Sequence, residues 1–380
     1  MKKICYVATI PGTIESFFIP QLRYLSENGY SVTVVCAYSD SLQIQLGGKV
    51  IFHSIDIPRG ISFAGSVKAI QELTAFFKLE QFDLIQYSTP NAAFYASIAA
   101  KAVGCKVRNY HLMGLRYLGA SGMGRAILKT IEKIACANST SIECVSKSNM
   151  ELGIREGLFP REKVTVVWNG STGGVDLAKF DYARRDQWRG EIRGELGYSD
   201  KDFVYGFVGR ITRDKGINEL LEAYFRLNSD AKLLLVGRIE DEQTLNQELF
   251  EKAKKDSNVV IHNEVSDIER YYAAIDVLIL PSYREGFGNV VIEAGAVGTP
   301  AIVSHIPGPI DTIDPGVTAL TVPVKDAKAL ADAMERMRQI DYVNMGNSAA
   351  RFAKEKFDSN VLCEKILERK QTLLNTYERD

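Results

Sequence analysis

No stretch of this 380-residue chain approaches the ~18 consecutive apolar residues that a membrane-spanning helix needs. The basic start Met1-Lys2-Lys3 runs straight into a strand-like run at residues 4–8, so no signal peptide is expected. Its six cysteines, at positions 5, 36, 105, 136, 144 and 363, form no CxxC pair and no metal-ligand spacing. They read as reduced core residues of a cytoplasmic protein. Charge of one sign is also missing. A net charge of −1 leaves no electrostatic footprint for nucleic acid, and no nucleic-acid partner is expected. That balance hides a split, because residues 1–170 hold 18 Lys and Arg against 12 Asp and Glu, and the remainder 28 against 35. The basic first half can draw an anionic surface or a phosphorylated acceptor, although a split of this size also arises without purpose.

The length exceeds one ordinary core and fits two domains. In the first half, strand-like runs at 4–8, 31–36, 83–87 and 106–111 alternate with helix-like stretches at 17–28, 67–78 and 92–103. The second half repeats this grammar, with strands at 204–208, 232–236, 259–262, 277–280 and 300–304 and helices at 218–226, 243–255 and 268–274. Such alternation predicts an α/β protein of two Rossmann-like, doubly wound domains, each a parallel sheet covered by helices on both faces. The glycine-bearing segment from Trp168 to Asp176, with the charged stretch up to Gly197, reads as the linker. Ligands of such sheets bind at the carboxyl ends of the strands, hence between the domains.

Two loops carry the chemistry. The apolar run ending at Leu280 opens into a loop at 281–289 that contains Glu285, and Glu293 follows on the helix beyond, near its first turn. A buried strand feeding a glycine-bearing loop and a helix N-terminus is how α/β proteins hold phosphorylated ligands. The run ending at Val208 leads into Gly209-Arg210, with Lys215-Gly216 five residues on, so a diphosphate there could meet backbone N–H groups, a guanidinium and an ammonium. Alone, that loop reads as a solvated turn; beside the glutamate loop it reads as a site. Asp200-Lys201-Asp202 imitates a metal-binding Asp-x-Asp but reads as a polar turn before a strand.

With these motifs on the page, Glu-x7-Glu opening on Glu-Gly-Phe-Gly, Gly-Arg-x4-Lys-Gly, and Asn169-Gly170 followed by Gly174-Val175-Asp176, the chain resembles the retaining glycosyltransferases of family 4 over nearly its whole length. The resemblance implies a GT-B architecture of two facing domains. An acceptor domain would span 1–170, a donor domain 171–357, and a C-terminal helix at 358–380 would cross back onto the first. It implies that Glu285 contacts hydroxyls of the donor sugar, that Glu293 holds the ribose hydroxyls, and that Arg210 and Lys215 bind the donor diphosphate. Gly209 and the loop at Gly286, Phe287, Gly288 and Asn289 would lie along the sugar and phosphates, and Asn263, where relatives carry a left-handed glycine, near the nucleotide. Local phrases at 111–117, 169–176 and 289–296 look most like bacterial capsule, O-antigen and protein-glycan transferases that extend a sugar carried on undecaprenyl diphosphate.

Three residues of the first half depart from the family pattern or carry little signal: Gly12, by resemblance close to the donor phosphates and acceptor, His111, by resemblance facing the reacting sugar, and Arg116 on the acceptor side. Gly12 alone remains of a glycine pair at the end of the first strand, and a plain tight turn accounts for it equally well. His111 stands two residues before the position of the family histidine, which is Met113 here. Residues i and i+2 of a strand share a face, so His111 is expected in the cleft, with a buried, hydrogen-bonded histidine as the alternative. Arg116 could meet an acceptor phosphate or be a surface arginine. The segment 121–135, with Arg125, Lys129 and Lys133 among branched apolar residues, could lie on an anionic membrane or simply pack on the sheet.

The expected activity is transfer of a sugar from a nucleotide donor, UDP by resemblance, to a polyprenyl-diphosphate-linked glycan. The enzyme would act in the cytoplasm, peripheral to the inner face of the cell membrane. The nucleotide-sugar is a co-substrate, and no cofactor or metal is expected. A nucleotide-sugar 2-epimerase and a non-catalytic sugar-nucleotide-binding subunit are the alternatives.

Overall fold

The structure, a computed structural model, describes residues 1–59, 63–227 and 229–378. The chain divides into two units. One runs from Met1 to Gly173 and takes in the chain again from Ser359, and the other runs from Gly174 to Asp358.

The first unit is built on seven strands, β1 (Lys3–Val7), β2 (Ser31–Cys36), β3 (Ile51–Ser54), β4 (Leu84–Ser88), β5 (Val107–Leu112), β6 (Ser141–Cys144) and β7 (Val164–Thr165). All pair in parallel in the order β3-β2-β1-β4-β5-β6-β7. Helices α1 (Pro11–Phe17), α2 (Ile19–Glu27), α3 (Asp40–Leu46), α4 (Phe63–Glu80), α5 (Pro90–Ala102), α6 (Gly122–Asn138) and α7 (Lys147–Arg155) connect them. Proline at the first turn starts α1, α2 and α5, where its missing N–H costs nothing, and the side chains of Ser39 and Ser146 cap α3 and α7. The sheet is buried on both faces, with apolar side chains dominating β1 and β2, while β4 and β5 also bury the polar Gln86, Asn109 and His111.

The second unit holds six parallel strands, β8 (Val204–Val208), β9 (Lys232–Val236), β10 (Val259–His262), β11 (Val277–Leu280), β12 (Ala301–Ser304) and β13 (Ala319–Val322), in the order β10-β9-β8-β11-β12-β13. Its helices are α8 (Arg185–Leu196), α9 (Ile217–Arg226), α10 (Gln247–Lys255), α11 (Ile268–Ala274), α12 (Asn289–Ala296), α13 (Ala327–Gln339) and α14 (Tyr342–Phe357). The last helix, α15 (Ser359–Glu378), belongs to the first unit, where Leu373 and Leu374 join the core formed by β1, β2 and α2.

Several expectations change. The helix read at 17–28 is two helices jointed at Phe18, and the first begins at Pro11. Gly12 therefore sits in a helical turn and not in a tight turn at a strand end, and a side chain added to it would meet nothing within 4 Å. The charged stretch assigned to the linker folds as α8, whose Trp188, Ile192 and Arg193 are buried. Arg189 and Arg193 from that helix grip Asp276, just before β11, at 2.6 and 2.7 Å. The chain crosses between units at Gly173–Gly174, within the segment from Trp168 to Asp176 read as linker, and returns at Asp358–Ser359.

Candidate functional site

In a doubly wound sheet the strand order reverses at one point, and the loops on either side of it splay apart to leave a crevice. In the second unit that point lies between β8 and β11. The two loops singled out in the sequence follow these two strands, so topology alone brings Gly209, Arg210 and Lys215 together with Glu285, Gly286, Phe287, Gly288 and Asn289.

Direct bonds stitch the loops to each other. The Tyr283 N–H donates to the Asp214 carbonyl at 2.9 Å, and Arg284 Nη2 reaches Asp214 Oδ2 at 3.0 Å. Lys215 Nζ lies 2.5 Å from Glu285 Oε1. Gly216, at φ +74°, lets the two chains approach, since a Cβ there would stand 2.1 Å from the Pro281 carbonyl oxygen. Burial acts to raise the Asp214 carboxyl, but the Thr212 hydroxyl at 2.6 Å and the cations Arg284, Arg210 and Lys215 hold it below the ordinary range. Arg210 is half exposed and pairs with Glu240 at 2.9 Å, and Glu240 also accepts from Arg238.

Gly288, at φ +102°, turns the β11 loop into α12 and puts Glu293 in the second turn of that helix, one turn later than expected. Its Oε2 accepts from the Tyr272 hydroxyl at 2.9 Å. Burial pushes the Glu293 carboxyl up, opposed by that hydroxyl and by Lys179. The ring of Phe287 is buried edge-on against Phe357, with centroids 5.5 Å apart, so a ligand at this position would meet its backbone. Asn263 is exposed directly after β10 but does not adopt the left-handed backbone expected of it. Its backbone carbonyl lies 3.1 Å from His262 Nδ1. Asp200 and Asp202 form the expected turn, closed by the Ser199 N–H on Asp202 at 2.6 Å. Among the described residues no cluster of three or more His, Cys, Asp or Glu is placed to hold a metal ion.

Gly12, His111 and Arg116 lie in the first unit. The loops after β1 and β4 meet at that sheet's own switch point, where the hydroxyls of Thr9 and Thr89 bond at 2.7 Å. Arg116 is exposed, with Nη1 3.3 Å from Asn91 Oδ1. His111 is buried on β5. Its Nε2 bonds the Thr172 hydroxyl at 3.1 Å, while Nδ1 stands 3.9 Å from Glu143 Oε2, beyond hydrogen-bonding reach. Burial and Lys370 lower its pKa against the opposing pull of Glu143. His111 and Met113 pack toward the same side of the sheet, His111 edge-on to Phe18 and Met113 against the cluster that contains Phe18.

Residues that the sequence did not single out complete the picture: Asp214 and Tyr283 in the loop stitching, Ser282 and Tyr272 on the glutamates, and Glu240 on Arg210. Ser282 and Asp214 were within reach, each a polar residue beside a motif. Tyr272 was not, since it comes from α11, which only the fold brings to α12.

Known families match both units in turn. Residues 15–172 match the description Glycosyltransferase Family 4, and residues 189–356 match Glycosyl transferases group 1. A capsular polysaccharide biosynthesis glycosyltransferase, CapM of Staphylococcus aureus, is 30% identical over 99% of this chain and 97% of its own. The chain belongs to this glycosyltransferase family. An Escherichia coli UDP-Gal:alpha-D-GlcNAc-diphosphoundecaprenol alpha-1,3-galactosyltransferase is 24% identical over 90% of this chain and 89% of its own. Among solved structures, Anabaena HepE in complex with UDP superposes with a TM-score of 0.80 at 19% identity, covering 98% of this chain and 100% of that one. Sucrose-phosphate synthase from Thermosynechococcus elongatus does so with a TM-score of 0.81 at 20% identity, over 99% and 100%. The protein is thus a GT-B glycosyltransferase of the kind that builds capsules and other polysaccharides.

Proposed function

We propose that this glycosyltransferase is a retaining enzyme that moves a sugar from a UDP donor to a glycan carried on polyprenyl diphosphate. The observation that carries the reading is the gathering of two cations, Arg210 and Lys215, and two carboxylates, Glu285 and Glu293, in the segments that follow β8 and β11 at the switch point of the second sheet. Negative charge grows on the departing diphosphate as the glycosidic bond breaks, and cations aimed at that charge lower the barrier without reorganising. Both cations are held by carboxylates here, Arg210 by Glu240 and Lys215 by Glu285, and the donor's phosphates and sugar hydroxyls would exchange for those partners. Glu285 would then orient the sugar and Glu293 the ribose. The acceptor hydroxyl would attack from the face of the leaving group, with a phosphate oxygen taking its proton, and no divalent metal would be needed.

The lipid-linked acceptor rests on the names of two relatives, the galactosyltransferase above and a Campylobacter jejuni N-acetylgalactosaminyltransferase acting on an undecaprenol-linked sugar, 24% identical over 96% of this chain and 97% of its own. No helix among the described residues is long and apolar enough to cross a membrane. We place the enzyme peripherally, at the cytoplasmic membrane face, through α6, where Met123, Ile127 and Ile134 are exposed beside Arg125, Lys129 and Lys133. The 2-epimerase and non-catalytic alternatives find no support among these relatives.

The test is incubation with a panel of UDP-sugars and a short-chain polyprenyl-diphosphate glycan, reading transfer and, by NMR, the anomeric configuration of the product. Transfer with retention is expected. Arg210→Ala and Lys215→Ala should each lower turnover about 10²–10³-fold, the usual loss when one stabiliser of developing charge is removed. Inversion, or unchanged turnover in both variants, would sink the reading.

A further inference from the structure

Each glutamate of the motif is gripped by one buried hydroxyl. The Tyr272 hydroxyl, on α11, donates to Glu293 Oε2 at 2.9 Å, and the Ser282 hydroxyl donates to Glu285 Oε1 at 2.8 Å. Both donors are fully buried, at 0% exposure, and so are fixed by packing and not by solvent. Tyr272 is pinned twice more, since its carbonyl accepts from the Thr299 hydroxyl at 2.7 Å and its ring packs against Phe180.

We propose that Tyr272 and Ser282 are positioning residues that aim the two carboxylates at the donor, Tyr272 setting Glu293 on the ribose and Ser282 setting Glu285 on the sugar. This rests on the donor-site reading above. A carboxylate can accept from two vicinal hydroxyls only if it is ionised and rotationally fixed. Tyr272 supplies both conditions for Glu293. Its bond occupies Oε2 and fixes the rotation of the group, while Oε1 accepts no hydrogen bond among the described residues. It also opposes the burial that pushes the Glu293 carboxyl toward its neutral form, helped only by Lys179, which is itself paired with Glu269 at 3.6 Å. For Glu285 the hydroxyl shares Oε1 with Lys215 Nζ, so when the ammonium turns to phosphate, the Ser282 hydroxyl stays on that oxygen.

A cycle of protein and ligand changes separates aiming from mere packing. Binding of UDP and of 2′,3′-dideoxy-UDP is measured calorimetrically for the wild type and for Tyr272→Phe, which keeps the ring. The wild type should bind UDP about tenfold or more tightly than the dideoxy compound. Tyr272→Phe should weaken UDP about tenfold, leave dideoxy-UDP within twofold, and move the acidic limb of UDP binding to higher pH, because Glu293 then protonates more readily. Equal weakening of both ligands would show that Tyr272 only supports the fold, and would overturn the proposal. A wild type that does not distinguish the two ligands would instead remove the ribose role of Glu293, and the donor reading with it. Ser282→Ala should leave UDP affinity within twofold and lower turnover with the UDP-sugar about tenfold. Loss of UDP affinity equal to the loss of turnover would refute its part.

Discussion

Replacing Glu132 with glutamine should make the first unit less sensitive to pH, by an amount that the structure fixes. Glu132 lies on α6 with its side chain in the core, 2% exposed, and its bonded partner is the Tyr110 hydroxyl at 2.6 Å. Burial pushes its carboxyl from an ordinary 4.5 to about 7, with the Tyr110 hydroxyl opposing. Its titratable neighbours Tyr110, Tyr117, Cys136 and Cys144 are all shifted upward and stay neutral through that range. Between the two pH values the folded state holds a proton that the unfolded chain has released, so stability falls as pH rises. At about 1.4 kcal/mol per unit, the loss from Glu132 between pH 5 and pH 8 is roughly 2.5 kcal/mol. Glutamine keeps an oxygen for the Tyr110 hydroxyl but does not titrate. Its amide N–H₂ costs about 1–3 kcal/mol if it finds no acceptor, equally at both pH values, and drops out of the comparison. The measurement is the protection of α6 amides by native-state hydrogen exchange at pH 5 and pH 8, corrected for intrinsic rates, in both proteins. A variant-minus-parent difference that stays constant to within about 0.5 kcal/mol across that range would refute the reasoning, because it would mean Glu132 does not titrate there.

Lys370→Met on α15 removes the ammonium that bonds Gln86 at 2.6 Å and Glu143 at 2.8 Å, and leaves Glu143 with Arg369 at 3.3 Å. Breaking a buried pair of this kind should cost about 3 kcal/mol, seen as faster proteolysis of α15, and a Lys370→Met, Glu143→Leu double variant should recover most of it. Turnover should survive EDTA; abolition with rescue by manganese would move the leaving-group role from Arg210 and Lys215 to a metal. Wild type should bind anionic vesicles at low salt, and replacing Arg125, Lys129 and Lys133 together with glutamine should release it, each cation near the surface contributing about 1 kcal/mol. Because Arg125 and Lys129 also pair with Glu156 at 3.3 and 2.6 Å, the control is an unchanged melting curve for that triple variant.

The strands of the second unit were legible to the residue at 204–208, 232–236, 259–262 and 277–280; β8, β9 and β11 are buried almost throughout and read as apolar runs, and the half-buried edge strand β10 is a short branched-apolar run. Those ends also singled out the candidate site, since ligands of this topology bind at loops such as those after β8 and β11. Helix starts were less legible. The helix read from 243 begins at Gln247, after a 3₁₀ turn at Glu242–Thr244, because the Asn246 side chain caps the Leu249 N–H. The charged segment before Gly197 looked like a linker because its arginines are polar in composition, whereas two of them are anchors on one aspartate that lies more than eighty residues away in sequence. Edge strand β3 was missed for the opposite reason, since Ile51 and Ser54 are exposed and the run is only four residues long.

His111 shows why acceptor-side chemistry was harder to read than donor-side chemistry. The residues proposed for the donor gather in and just after the loops that follow β8 and β11, where short motifs of charged residues and glycines are readable from sequence. His111 sits inside a polar network in the core, and that network accounts for a buried histidine there without a ligand. Its Nε2 holds Thr172, whose carbonyl takes Gln21 at 2.9 Å, and Thr172 is the residue just before the first crossing of the chain at Gly173–Gly174. Glu143, opposite it in the β5–β6 register, holds Lys370 and Arg369 of α15, which forms directly after the second crossing. Burial would raise the Glu143 carboxyl, but Lys370, with Arg369, outweighs it and keeps it ionised. With its own pKa lowered, His111 is a neutral imidazole at neutral pH and can hold a hydroxyl, of Thr172 or of a sugar, but does not supply positive charge. Under the proposed mechanism, stabilisation of the leaving group would fall to Arg210 and Lys215, and His111 would add a hydrogen bond that competes with its bond to Thr172, next to the first crossing.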